Sequence, residues 1–306
     1  MKAKLSFKQL HALEAVARHG SFTQAAREIG VSQPTVSNLI YALEKQYKCR
    51  LLDRTGSSIT PTPQLAEIRG HIKALISLND VIDLHLSAEQ DLLSGQFHVA
   101  YTSSALAMPV LAEFVQAYPA LDVSATAMHS LDLQPKLLSG GFDVGFMTTA
   151  RLPRDLAGFA IADAQIGLWL PKEHPQARHA SLSWNVVATL PLIQRQPQSG
   201  ARNLFETAAQ LAQVPLQTRL SLDTVDAVMT LVRQGVGAGV GFAAECPNAR
   251  DLVFVPIHDP VLAAKHYLVC PKPMRETAMV ARFFDTAEAN MTQEHTASER
   301  THATTG

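Results

Sequence analysis

Residues 20–62, GSFTQAAREIGVSQPTVSNLIYALEKQYKCRLLDRTGSSITPT, decide the architecture of this chain. Ser21 opens a helix, with Gln24 at the capping-box position. Phe22, Ala25, Ala26 and Ile29 form the inner face of that helix, and Gly30 supplies a permissive residue for the turn. Ser32 caps the next helix, whose first turn tolerates Pro34. Val36, Ile40 and Leu43 face inward at helical spacing, which leaves Gln33, Thr35, Ser37, Asn38, Tyr41 and Lys45 outside. Residues 51–54 and 57–60 are short enough for two strands with Thr55-Gly56 at the turn, and Pro61 and Pro63 end the module. Upstream, Ser6 caps a helix over 7–18 with Phe7, Leu10, Leu13 and Ala17 on one face, and Gly20 stops it.

Three helices and a hairpin in this order predict a winged helix-turn-helix. A helix that reads DNA places polar side chains at its exposed N-terminal end, in the major groove. Here that end offers Ser32, Gln33, Thr35, Ser37 and Asn38, and Gln and Asn can bond adenine bidentately. Arg54 in the wing is placed for phosphate or the minor groove. A polar helix face by itself is usually solvated surface, so the signal is the whole arrangement. Charge is distributed accordingly: residues 1–62 carry a net +5 and the remainder −6, within a total of −1.

From Gln64 to about residue 93 the pattern is one long helix. Leu65, Ile68, Ile72, Leu75, Asn79, Ile82 and Leu86 alternate steps of three and four, an a/d seam with Asn79 as a polar member that can fix register. The seam predicts pairing with a second copy of the chain; the alternative is an amphipathic helix packed on its own domain. Beyond Gly95, strands at 97–101, 122–128 and 143–147 alternate with helices at 104–117 and 133–138, a pattern that predicts a parallel sheet. A second block has strands at 165–170, 192–194, 216–222 and 236–242 with helices at 201–212 and 224–233, followed by a strand at 266–270 and a helix at 276–289. The polar end, 292–306, is expected to be a flexible tail.

The same stretch that decides the fold resembles the LysR-type transcriptional regulators. The resemblance rests on Gly20–Thr23, the Ala25-Ala26 pair, Val31-Ser32-Gln33-Pro34, Ser37, Leu43-Glu44 and Leu51-Leu52 followed by Arg54. Chain length and element order extend it over about residues 5–290. Two departures stand out: Asn38 where an Arg is common, and Lys48-Cys49-Arg50 in place of a Gly-containing turn before the wing.

The resemblance implies an α/β protein with an all-α-plus-wing N-terminal domain. Its parts are a winged helix-turn-helix (1–62), a linker and dimerisation helix (63–93) and a two-lobed, periplasmic-binding-protein-like effector domain (94–291). Lobe 1 spans about 95–163 and 266–291, and lobe 2 about 164–265. The implied partners are double-stranded promoter DNA, a small-molecule effector, the chain itself as homodimer or homotetramer, and RNA polymerase. No cofactor, metal or membrane is implied, and the protein is expected in the cytoplasm.

Ligands of open α/β sheets sit beyond the carboxyl ends of the strands. The candidates there are Thr102, Ser103, Ser104, His129, Ser130, Thr148 and Thr149 in lobe 1, and Ser199, Gly200, Arg202, Asp223 and Thr224 in lobe 2. Hydroxyl-rich segments at helix N-termini suit a small anion such as a carboxylate, a sulfate-like compound or a phosphonate. The alternative is that these Ser and Thr residues only cap helices. Residues 194–206, QRQPQSGARNLFE, resemble regulators of aminoethylphosphonate use, for which Asp223 would meet the amine.

Other classes fit less well. Gly235, Gly237, Gly239 and Gly241 do not have dinucleotide spacing, no P-loop lysine motif occurs, and twelve histidines include no tight metal-ligand cluster. Three widely spaced cysteines form no CxxC; Cys246 and Cys270 are read as buried small hydrophobes, with a redox switch as the alternative. An enzyme with a nucleic-acid-binding arm would need an acid/base pair or a metal cluster in the cleft. A solute-binding protein would need a secretory signal, which the start MKAKLSFKQLHALEAV lacks.

Overall fold

The computed structural model describes residues 5–54, 59–86, 95–246 and 250–303. The N-terminal head has α1 (Phe7–His19), α2 (Phe22–Glu28), α3 (Gln33–Tyr47), β1 (Leu52–Asp53) and β2 (Thr60–Pro61). Serine caps define the three helices: the side chains of Ser6, Ser21 and Ser32 accept from the backbone N–H of Gln9, Gln24 and Thr35. Ser6 and Gln9 complete a capping box. β1 and β2 pair antiparallel with Leu52 opposite Pro61, so the wing strands are shorter than the sequence suggests. The expected turn at Thr55-Gly56 lies outside the described residues. At the end of α3, Lys48 takes the left-handed conformation (φ 52°, ψ 38°) that a glycine usually supplies.

α4 (Pro63–Leu86) follows, and its continuation to residue 93 lies outside the described residues. Its expected seam is divided between two surfaces. Leu65 and Ile72 are buried with Leu13, Val16, Val36 and Ile40 in the head's own core. Ile68, Leu75, Leu78 and Ile82 face outward, at 42%, 50%, 47% and 58% exposure. Residues three and four apart lie on adjoining faces of the cylinder, so the edge of the seam nearer the head is buried and the edge farther round stays open.

The remainder forms two five-stranded sheets. β3 (Gly95–Tyr101), α5 (Ser104–Ala117), β4 (Leu121–Ala127), α6 (Ser130–Leu138), β5 (Val144–Thr149) and β6 (Leu156–Asp163) come first. Next come β7 (Ile166–Pro171), α7 (Trp184–Val187), β8 (Pro191–Arg195), α8 (Gly200–Leu211), β9 (Gln217–Leu222), α9 (Val225–Arg233), β10 (Ala238–Phe242) and β11 (Leu252–Pro256). β12 (Lys265–Pro271) and α10 (Ala278–Ala303) complete the chain.

The first sheet has order β4-β3-β5-β12-β6 and the second β11-β7-β10-β8-β9. In each, one strand runs against the other four, β12 in the first and β7 in the second, which corrects the expectation of purely parallel sheets. The antiparallel pairs exist because the chain crosses between sheets without a helix. β6 leads straight into β7, and the return enters β12. The crossings are joined, with Ala164 N–H donating to the Ala264 carbonyl at 2.9 Å. β6 and β11 escaped the sequence reading: LAGFAIAD is poor in β-branched residues and LVFVP is only five residues long.

Each lobe has its own core. In lobe 1, Phe97, Phe114 and Phe283 stack with centroids 4.9 to 5.3 Å apart, so α10 is pinned beneath β3 and α5. Where a flexible tail was expected from residue 292, α10 continues to Ala303. In lobe 2, Phe205, Leu168, Leu192 and Val240 centre the packing. Gly239 lies under α9, where a Cβ would fall 2.7 Å from Val232 Cγ2, so the glycine run serves close packing. Cys270 belongs to the lobe 1 core and Cys246 packs in lobe 2. Burial pushes the Cys270 thiol up to about 12 and also raises that of Cys246.

Candidate functional site

Two sites emerge, one on the head and one between the lobes. On the head, Val36, Ile40 and Leu43 bury one side of α3 and turn the opposite side to solvent. Ser32, Gln33, Thr35 and Asn38 are exposed there, and Ser37 is half-buried beside them. Ser32 Oγ lies 2.8 Å from Thr35 Oγ1, and Gln33 Nε2 lies 3.5 Å from Ser37 Oγ. These weak local bonds hold polar side chains in a row at the helix N-terminus without burying them.

Arg54 is held in place from two sides. Its guanidinium donates to Glu44 Oε2 at 3.1 Å and sits 5.2 Å above the Phe22 ring. Glu44 Oε1 in turn accepts from the backbone N–H of Leu51 and Leu52. One carboxylate thereby joins α3 to the wing strand and aims the arginine. The sequence offered Glu44 as part of the Leu43-Glu44 pair but no role for it, because that role depends on a strand that returns to it seven and eight residues later.

Between the lobes, Thr148, Thr149 and Gly200 line a cavity of about 240 Å³ with Asn203, Leu204, Thr207, Phe242 and Ala264. Thr148 Oγ1 is 2.7 Å from His266 Nδ1, and Thr149 Oγ1 turns to the Arg151 backbone. Gly200 faces Ser130 across the cleft so closely that a Cβ would lie 2.6 Å from Ser130 Oγ. Thr102 donates to the Phe146 carbonyl, and Ser104 is exposed at the first turn of α5.

The helix caps sort the remaining candidates. Ser103, His129 and Ser199 cap α5, α6 and α8 without a side-chain capping bond. Ser199 Oγ and His129 Nδ1 are buried and have no hydrogen-bond partner. Ser183, before the one-turn α7, also makes no such bond. Thr224, by contrast, accepts from Ala227 N–H and is an ordinary cap, with Asp223 exposed beside it. Arg202 is consumed within lobe 2, donating to Glu206, the Arg195 carbonyl and Ser221 Oγ.

The structure adds residues that sequence reasoning missed. His266 is 1% exposed, its ring is edge-on to Phe242 at 5.0 Å between centroids, and its Nε2 has no partner. Burial lowers its pKa to about 4, so the ring is neutral at pH 7. Arg195 lies 3.7 Å from Glu245, whose Oε2 accepts from Phe242 N–H, and burial raises the Glu245 pKa. The turn at Ala243–Glu245 touches α5 of lobe 1. No residue type marked these positions, because their contacts are made with segments distant in sequence. Among the described residues no cluster of metal-binding side chains occurs, and no helix is long and apolar enough to cross a membrane.

Comparisons with known proteins match both parts of the chain. The model of the LysR substrate binding domain matches residues 90–292, and that of the bacterial regulatory helix-turn-helix protein, lysR family, matches residues 7–64. The HTH-type transcriptional regulator YnfL of Escherichia coli strain K12 is 24% identical over 91% of this chain and 96% of its own. A RuBisCO operon transcriptional regulator of Allochromatium vinosum is 26% identical, covering 77% and 79%. A full-length OxyR variant from Pseudomonas aeruginosa superposes with a TM-score of 0.75 at 17% identity, covering 94% and 95%. Neither curated relative is named for phosphonates, and the reading of 194–206 as an aminoethylphosphonate signature is withdrawn.

Proposed function

Since the chain belongs to the LysR family of transcriptional regulators, we propose that its α3 reads promoter DNA and that a small anion in the interlobe cleft controls it. The family assignment makes the protein a regulator with an effector-binding domain, not an enzyme. The head supports the output: Gln33, Thr35 and Asn38 are exposed in a row on a helix whose other face is buried, and Arg54 is aimed from the wing.

The anion reading is carried by the unused caps. In the head, every serine cap is bonded to its own helix; at the cleft, Ser103, His129 and Ser199 are not. The first-turn N–H groups of α5, α6 and α8 therefore lack side-chain acceptors, and the positive ends of α6 and α8 meet where Ser130 faces Gly200. Arg202 takes no part, so backbone and hydroxyl groups do the recognition, and a compact carboxylate or oxyanion fits them better than a large cationic ligand.

A second copy of the chain pairs along Ile68, Leu75, Leu78 and Ile82 of α4, which gives the two heads half-sites separated by about 34 Å or a multiple of it. A promoter-binding role implies the cytoplasm as the compartment and RNA polymerase as a further partner. A gel shift on DNA flanking its own coding region tests the output. The expected result is a discrete complex that weakens as salt rises. Isothermal titration with sulfate, inorganic phosphate and small mono- and dicarboxylates tests the input. Saturable heat that Ser199→Ala reduces supports the anion site; heat only from cationic or neutral compounds would rule it out.

A further inference from the structure

One helix has an end at each site. α6 starts in the cleft, where its first residue, Ser130, meets Gly200 of lobe 2. Nine residues later, about 14 Å along, it ends against α4, the helix that leads out of the DNA-reading head. The Ser139 carbonyl accepts from Arg69 Nη1 of α4 at 3.4 Å. Gly140, at φ +73°, leaves room for the same side chain: a Cβ there would fall 2.9 Å from Arg69 Cγ. Arg69 then forks onto Glu14 of α1 through Nε and Nη2, at 2.8 and 2.9 Å.

Arg18 with Gln96 and Lys73 with Asp143 also join α1 and α4 to lobe 1, and Ala74 of α4 is buried in the lobe 1 core with Phe97 and Met274. The two polar pairs meet lobe 1 at the amino ends of strands, Gln96 as the second residue of β3 and Asp143 just before β5, away from the cleft. α6 is seated differently. Its buried residues are Leu133 and Leu137, and they rest on Gly145 of β5, where a Cβ would lie 2.9 Å from Leu137 Cδ1. Leu133 and Leu137 also pack with Ala100, Met147, Leu156 and Val269, so α6 is held to its sheet along one apolar face.

The far end responds in a switch-like way. Arg69 and Glu14 are 8% and 7% exposed, and separating them would strand a buried charge. Such a pair holds one arrangement or gives it up, rather than stretching.

We propose that α6 mechanically couples the cleft to the DNA-reading head, with Arg69 as the positioning residue that passes displacement of Ser130 and Ser139 on to α1. The inference rests on the cleft being the input and α3 the output, and it supplies the link between them. Coupling of this kind requires α6 to have two arrangements that both sites bias.

Hydrogen–deuterium exchange on the full chain, without DNA or effector, tests it. Gly200→Val drives a larger side chain into Ser130 and stands in for a cleft displacement. With Arg69 present, exchange across residues 7–19 should rise about threefold, and Ser130→Gly in the same chain should restore it. In Glu14→Leu/Arg69→Met, which replaces the ion pair by apolar volume, Gly200→Val should still alter exchange at 130–138 and leave 7–19 unchanged. Arg69→Lys is the second variant should that pair not fold: its single ammonium keeps a charge near Glu14 and loses the separate Nη1 bond to Ser139. An unchanged 7–19 segment with Arg69 intact overturns the coupling, and so does an equal response in either Arg69 background. No DNA or effector enters the measurement, so promoter binding and anion binding stand or fall separately.

Discussion

Thr148 Oγ1 and His266 Nδ1 lie 2.7 Å apart at the floor of the interlobe cleft, joining a residue of β5 to one of β12 across 118 positions of sequence. The pair ties the start of the return strand to the cavity wall, and Phe242 of lobe 2 closes over the imidazole. A neutral, buried histidine at the crossing makes lobe packing sensitive to acid.

The sign follows from linkage. Burial holds His266 at about 4 in the fold against 6.5 when free, so the unfolded chain binds the proton first as pH falls. The stability it contributes is complete above pH 6.5 and is lost as pH falls towards about 4, by roughly 3 kcal/mol. His98, also lowered by burial, acts in the same direction, whereas the raised Glu245 acts in the opposite one. Denaturant unfolding from pH 7 to pH 4 should show the loss, and His266→Asn, which keeps a polar atom for Thr148, should flatten it. An equal slope in both proteins would remove His266 as the cause.

Gln33→Ala should relax sequence preference by about 1–3 kcal/mol at one base pair, measured by competition between operator variants. Arg54→Ala should weaken binding to all sequences alike and reduce its salt dependence. Its grip on Glu44 means that part of the loss comes from a misplaced wing, so Glu44→Gln should reproduce some of it.

Lys48→Gly should stabilise the head by about 0.5–1 kcal/mol, because a left-handed lysine is more strained than a left-handed glycine even after the entropy glycine loses. A higher thermal midpoint checks it, and an unchanged or lower one contradicts it.

Leu75→Glu should convert the oligomer to a smaller species in analytical ultracentrifugation, because it charges the centre of the exposed stripe on α4. Ile72→Glu should instead unfold the head, since Ile72 is buried in the head's own core. Identical outcomes for the two would contradict the division of that helix into two surfaces.

The head was legible from sequence because its signals are local. Serine caps, the turn at Gly30 and the spacing of Val36, Ile40 and Leu43 act within a few residues, and each formed as read. The cleft was legible in outline, since strand ends in an α/β chain are where ligands collect, and Thr148, Thr149 and Gly200 do line one cavity. The sequence alone did not indicate that Ser199 keeps its hydroxyl free while Thr224 uses its own, or that Arg202 is already occupied, because those outcomes depend on neighbours brought in by other strands.

Local spacing and capping, then, determined by themselves that this chain carries a winged helix-turn-helix, a long helix and two α/β lobes. Tertiary structure alone decided which face of α4 is spent internally, that β12 returns antiparallel between β5 and β6, and that His266, Glu245 and Arg69 matter. Capping and helical periodicity are satisfied within one turn or one strand, so sequence displays them. A buried charge pair or a hydrogen bond between strands far apart in sequence acquires its energy only when distant segments exclude water together, and no local pattern records that.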